Sequence, residues 1–161
     1  MKFFEDIAVG ERAELGQYTF TTEAIKTFAA RYDPQAFHMD EAAAARSPFG
    51  ALCASGWHTA SIWMRLMVDH RRRDDAARHA RGEPVAMLGP SPGFRELKWL
   101  KPVYVGDTVK YATEIVETRP SGSRPDWGLI TLMNTGANQK GELVISFRSV
   151  AFVQRRAAQI G

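Results

Sequence analysis

An acid and a histidine stand five positions apart in Tyr32-Asp33-Pro34-Gln35-Ala36-Phe37-His38-Met39-Asp40, across a break that the sequence itself imposes on a helix. A carboxylate and an imidazole held in fixed mutual geometry can take a proton from water and hand one on. The elements that would hold them can be read on both sides. Upstream, Ile25, Phe28, Ala29 and Tyr32 fall at i, i+3, i+4 and i+7, one buried helical stripe, with Thr22 as the expected cap and Glu23 in the first turn. Pro34 disfavours helical backbone at Asp33, which ends the helix near Tyr32 and leaves the carboxylate on extended chain. Asp40 and the run Glu41 to Ala45 read as the cap and body of a second short helix, so His38 is expected in the loop between two helical anchors. An Asp before Pro is also a common turn former, and an acid paired with an imidazole can be purely structural. The spacing by itself leaves both readings open.

A third candidate is Gly56. The first N–H groups of a helix lack internal partners and carry positive dipole charge, and a glycine there lets a ligand oxygen come close. The competing reading is that Ser55-Gly56 only eases packing of a helix against a sheet. The most apolar stretch, Ala51 to Val68, is interrupted by Gly56, His58 and Arg65, and is short for a membrane span. A buried central helix is expected there, with the charged run Asp69 to Arg81 as its exposed continuation or a surface loop. His58 is placed to line a pocket, but no second ligand stands at a suitable spacing and no metal is expected. Cys53, just before the expected helix, is the one cysteine, which excludes an internal disulfide. It reads as a small buried residue, with a thiol of lowered pKa as the alternative.

The run Ala30 to Asp40, followed by Phe49-Gly50-Ala51-Leu52-Cys53-Ala54-Ser55-Gly56-Trp57-His58, resembles the hydratase motif and central-helix start of the MaoC-like dehydratases, relatives of the R-specific enoyl-CoA hydratases. The likeness extends to Arg95 to Val103 and to Gly106-Asp107-Thr108, so it spans most of the chain. It implies an α+β hotdog fold, a long central helix wrapped by a curved antiparallel β-sheet. It also implies that Asp33 and His38 hold the catalytic water and that Gly56 offers its backbone N–H to the thioester carbonyl. Two positions depart from the pattern. Most hydratases of this type carry Asn and then Pro where this chain has Gln35 and Ala36, and Gln keeps the amide on an arm one methylene longer. A small polar residue that some relatives carry along the central helix falls on Met64.

Composition is consistent with one domain over residues 1–161, since 45% of residues are hydrophobic and 24% charged, enough for a sizeable core without a metal or disulfide. A formal charge of +3 suits an anionic partner such as a CoA nucleotide and is too weak to argue for nucleic acid. Arg71-Arg72-Arg73 is diluted by Asp69, Asp74 and Asp75 and reads as a solvated helix end. Met1 to Asp6 lacks the features of a signal peptide, and a cytoplasmic setting is expected.

The later part of the chain is β in pattern. Thr108 to Thr118 places Val109, Tyr111, Thr113 and Ile115 on one face; Gly128 to Thr135 and Leu143 to Val153 are further strands, and Glu14 to Phe20 is a plausible first one. Gly106-Asp107 and Asn138 to Gly141 mark turns, and Gly82 to Gly93 reads as a connection. The expected activity is hydration of an enoyl thioester or its reverse, on CoA or acyl carrier protein, with Asp33, His38, Gln35 and Gly56 at the site and no cofactor. A hotdog thioesterase and a non-catalytic acyl-CoA-binding protein are the alternatives. An unpaired sheet edge favours a homodimer or a dimer of dimers.

Overall fold

The computed structural model describes residues 1–156. A short 3₁₀ turn at Phe4–Asp6 leads into β1 (Arg12–Thr19), then three helices, α1 (Thr22–Tyr32), α2 (Ala36–Met39) and α3 (Glu41–Ala45). The long helix α4 (Gly56–Ala80) follows, and the chain ends in β2 (Gly93–Trp99), β3 (Thr108–Pro120), β4 (Trp127–Ala137) and β5 (Leu143–Gln154). The strands form one sheet in the order β1-β3-β4-β5-β2, and each neighbouring pair is antiparallel. A long helix lying in such a sheet is the hotdog fold.

Bulges bend the sheet round the helix. Register slips between Glu14 and Gly16 on β1 and between Ile115 and Glu117 on β3, each admitting an extra residue that increases local twist. At the first slip Leu15 is driven into the core, while Gly16 takes φ 128°, a conformation that favours glycine. The helix packs on this bend, for Leu66 Cδ2 lies 3.5 Å from where a Gly16 side chain would begin.

The core lies between α4, the short helices and the inner sheet face. Trp63 and the partly buried Ile62, Leu66 and Met67 of α4 meet Leu15, Val109, Tyr111, Ile145 and Phe147 of the strands, with Phe20, Ile25 and Ala44 closing one end. Each large side chain so buried contributes about 1.5–3 kcal/mol. A smaller cluster, Ala86, Ile115, Ile130 and Val153, is covered by Met1, Phe3, Phe4 and Ile7.

Several expectations need correction. Thr21, not Thr22, caps α1 by accepting the N–H of Ala24 at 3.1 Å. Tyr32 is not part of the buried stripe, being 69% exposed in the last turn before the break. His38 sits within the short helix α2 and not in a loop. Of the two readings of the charged run after Asp69, the helical one holds, for the run continues α4 as far as Ala80. Strand β2 was not foreseen; it lies at a sheet edge and its pairing with β5 slips between Arg95 and Lys98. Among the described residues, no helix is long and apolar enough to cross a membrane, and no three His, Cys, Asp or Glu side chains converge on a metal position.

Candidate active site

The break at Pro34 does what its sequence dictates. Asp33 closes α1 with φ −155° and ψ 67°, out of the helical region, while its N–H still donates to Ala29 O at 2.9 Å. The chain turns tightly, Gln35 N donating to Asp33 O at 2.8 Å, and α2 starts at once. That single short turn brings His38 round to face Asp33. His38 Nε2 lies 3.4 Å from Asp33 Oδ2, and both side chains are mostly buried.

The other edge of the imidazole is fixed by backbone. His38 Nδ1 lies 2.7 Å from the carbonyl oxygen of Cys53, which can only accept, so Nδ1 carries the hydrogen. Neutral His38 therefore turns a lone pair toward Asp33. Two acceptors face each other, an arrangement that is satisfied by a proton between them or by a water donating to both. The carbonyl itself is held firmly: Cys53 bridges Tyr104, and Ala54 N donates to Val103 O at 2.8 Å. Phe37 packs edge-on against the His38 ring, with centroids 4.5 Å apart.

Asp33 is held on its remaining side by side chains. Gln35 Nε2 donates to Asp33 Oδ1 at 2.7 Å. Burial alone pushes the Asp33 carboxyl up, but the Ser55 hydroxyl, the Gln35 amide and, whenever the imidazole is protonated, the charge of His38 together outweigh it and hold the group below the usual carboxylate range. Asp33 is thus an anion at neutral pH, kept ready to accept a proton.

Ser55 also caps α4, its Oγ accepting the N–H of Trp57 at 3.2 Å. Gly56 opens the helix, and among the described residues its N–H meets no acceptor. The residue has to be glycine. A Cβ there would lie 2.4 Å from Cε2 of Trp99, inside any acceptable contact.

Asp33, His38, Gln35 and Gly56 line one cavity of about 390 Å³ whose walls are largely aromatic and aliphatic, including Phe37, Phe49, Trp57, Trp99 and Leu100. Sequence reasoning missed Ser55 as a partner of Asp33, the Cys53 carbonyl as the anchor of His38, and the Trp99 wall. Met64 is half-exposed and outside this lining. The Cys53 thiol is buried and pushed up to about 11 by desolvation, so the reading of a lowered thiol pKa is wrong.

His58 lines a different and more open cleft, about 440 Å³, beside Tyr18, Phe28 and Tyr32. That cleft is similar in size to the first, yet among the described residues it holds no imidazole paired with a carboxylate. The His58 ring stacks on Phe28 at 4.6 Å, its Nδ1 is buried without a partner, and burial pushes its pKa down to about 4.

Known proteins share the fold that carries this site. The MaoC-like dehydratase of Rhodospirillum rubrum matches with TM-score 0.80 and 37% identity, covering 98% of this chain and 99% of that one. The (R)-hydratase of A. caviae involved in PHA biosynthesis shares the fold, with TM-score 0.66 and 24% identity over 91% of this chain and 97% of its own. The mesaconyl-CoA hydratase of Cereibacter sphaeroides is 31% identical over 64 residues, 40% of this chain but 18% of that much longer protein. A family model, described as MaoC like domain, matches residues 6–126, and the chain belongs to that family.

Proposed function

We propose that this chain is an R-specific enoyl-thioester hydratase, or in reverse a 3-hydroxyacyl-thioester dehydratase, acting on CoA or acyl-carrier-protein thioesters without a metal or redox cofactor. The observation that carries this reading is the Asp33–His38 pair, 3.4 Å apart, with Nδ1 of the imidazole committed to a carbonyl and Nε2 left to face the carboxylate. A water in front of the pair donates one hydrogen to Asp33 and one to His38 Nε2, which aims its oxygen lone pair outward. In hydration that oxygen bonds to C3 and Asp33 takes the proton. The negative charge that develops on the thioester oxygen is met by the Gly56 N–H and the positive end of α4. The proton that Asp33 has taken passes to His38 Nε2 and from there to C2, so water is added across the double bond and the pair returns to its starting state. The hydratases and dehydratases among the similar proteins favour this reaction class.

The test is a screen of trans-2-enoyl-CoAs of differing length and branching, followed by loss of the conjugated-thioester absorbance. Turnover with the R-3-hydroxyacyl product is expected; the S product, or release of free thiol without hydration, overturns the reading. We further propose that the protein works as a homodimer. The half-exposed Trp57, Trp99 and Leu100 lie around the cavity mouth, and β2 leaves an unpaired edge beside them. A fully active monomer in light scattering contradicts that assembly.

A further inference from the structure

The cavity wall against Gly56 is an indole, with its nitrogen among the atoms that press on the glycine. A side chain on Gly56 would begin 2.5 Å from Trp99 Nε1 and 2.4 Å from Cε2, so the indole occupies the volume that any other residue at position 56 would claim. The ring is well fixed. Trp57 packs edge-on against it with centroids 5.2 Å apart at 77°, Trp99 pairs with Ile145 at the end of β2, and the next residue, Leu100, donates its N–H to Val144 O at 2.8 Å. An indole N–H can only donate. Among the described residues it has no acceptor, and the ring is 47% exposed in the wall of the same cavity as Asp33, His38 and Gly56. Two donors without a protein acceptor among the described residues, one backbone and one side chain, therefore stand beside each other where α4 begins.

We propose that Trp99 is a catalytic residue whose indole N–H donates to the thioester carbonyl beside the Gly56 N–H, an assignment that rests on the hydratase reading given above. The backbone N–H is aimed by the helix axis, and the indole supplies a second direction of approach. Together they hold the oxygen in one place as it gains charge, which a lone donor does less well. The close contact also explains why the helix opens on glycine. Glycine admits the ligand oxygen, and it admits the second donor.

The experiment compares wild type with Trp99→Phe, which keeps an aromatic face and removes the N–H. Butyryl-CoA labelled with ¹³C at the carbonyl does not react by hydration, and its stretching frequency in difference infrared spectra reports polarisation in the bound state. Binding to wild type is expected to lower that frequency, and Trp99→Phe is expected to lower it less, with kcat on crotonyl-CoA down about a hundredfold and KM within a few-fold. Trp99→His, which retains a ring N–H, is expected to recover part of both effects and stands in should Trp99→Phe fold poorly. An equal frequency shift in wild type and Trp99→Phe overturns the proposal, as does failure of butyryl-CoA to bind. If no enoyl-CoA is hydrated by wild type while the carbonyl shift still depends on Trp99, the hydratase reading falls and the donor assignment stands.

Discussion

His38 and His58 are buried to nearly the same degree, 5% and 4% exposed, yet their surroundings are opposite in kind. His38 has a carbonyl on one nitrogen and a carboxylate facing the other. His58 has Phe28 stacked on its face, Phe20 and Tyr18 at its edges, and a sealed Nδ1 without a partner. Burial by itself removes a histidine from acid–base work, since desolvation favours the neutral ring. Burial with a polar partner on each nitrogen does the reverse, because it fixes the tautomer and leaves one lone pair aimed at a task.

The contrast breaks most visibly at the pair. Asp33→Asn and His38→Gln are each expected to lower turnover 10²–10⁴-fold with the fold intact, and the double variant to be little worse than either single one, since the two act as a unit. Additive losses in steady-state kinetics would reject a joint role. His58→Phe, by contrast, is expected to leave kcat within a few-fold of wild type.

A smaller effect is expected at the amide that holds the acid. Gln35→Ala should reduce kcat about ten- to a hundredfold with little change in melting temperature, because Asp33 loses a donor and some of its orientation. The same loss removes an influence that lowers the Asp33 pKa, so the acidic limb of the kcat/KM profile should move to higher pH. Gln35→Asn should not improve on wild type, since the turn is already fitted to the longer arm. An unmoved limb and unchanged kcat in Gln35→Ala would reduce Gln35 to a loop residue.

The mildest effect concerns stability. His58 has a folded pKa of about 4 against an ordinary 6.5, so its neutral state stabilises the fold above pH 6.5, and this contribution is lost as the pH falls toward 4. Removing it should flatten the acid side of the stability curve. In urea titrations His58→Phe is expected to lose about 1–3 kcal/mol less than wild type between pH 7 and pH 4. Parallel curves for the two proteins would show that His58 is not a source of acid lability.

The parts that could be read from sequence are those governed by local rules. Pro34 ended α1 where its steric clash requires, Asp40 capped α3 by accepting the Ala43 N–H at 2.7 Å, and alternation placed Val109, Tyr111 and Ile115 on the buried face of β3. Strand β2 escaped because an edge strand with an irregularity has no clean period of two. Glu96 takes φ 56° there, and every β2 residue except Leu97 is exposed. Within the site, Asp33, His38 and Gly56 carried a motif, and the fold brought them together with Gln35. Their supports carried none. The anchor of His38 is a main-chain oxygen, which no residue type announces, and Trp99 meets Gly56 only because β2 returns along the start of α4.

One consequence follows from the way the imidazole is tethered. No side-chain substitution can delete the Cys53 carbonyl, whereas the carboxylate opposite depends on the side chains of Gln35 and Ser55. The two halves of the pair therefore differ in how they respond to drift. The orientation of the imidazole is insulated from side-chain change at position 53, and the acidity of the carboxylate is left adjustable one substitution at a time. A lineage carrying this loop can retune the proton affinity of its carboxylate without ever risking the tautomer of its histidine.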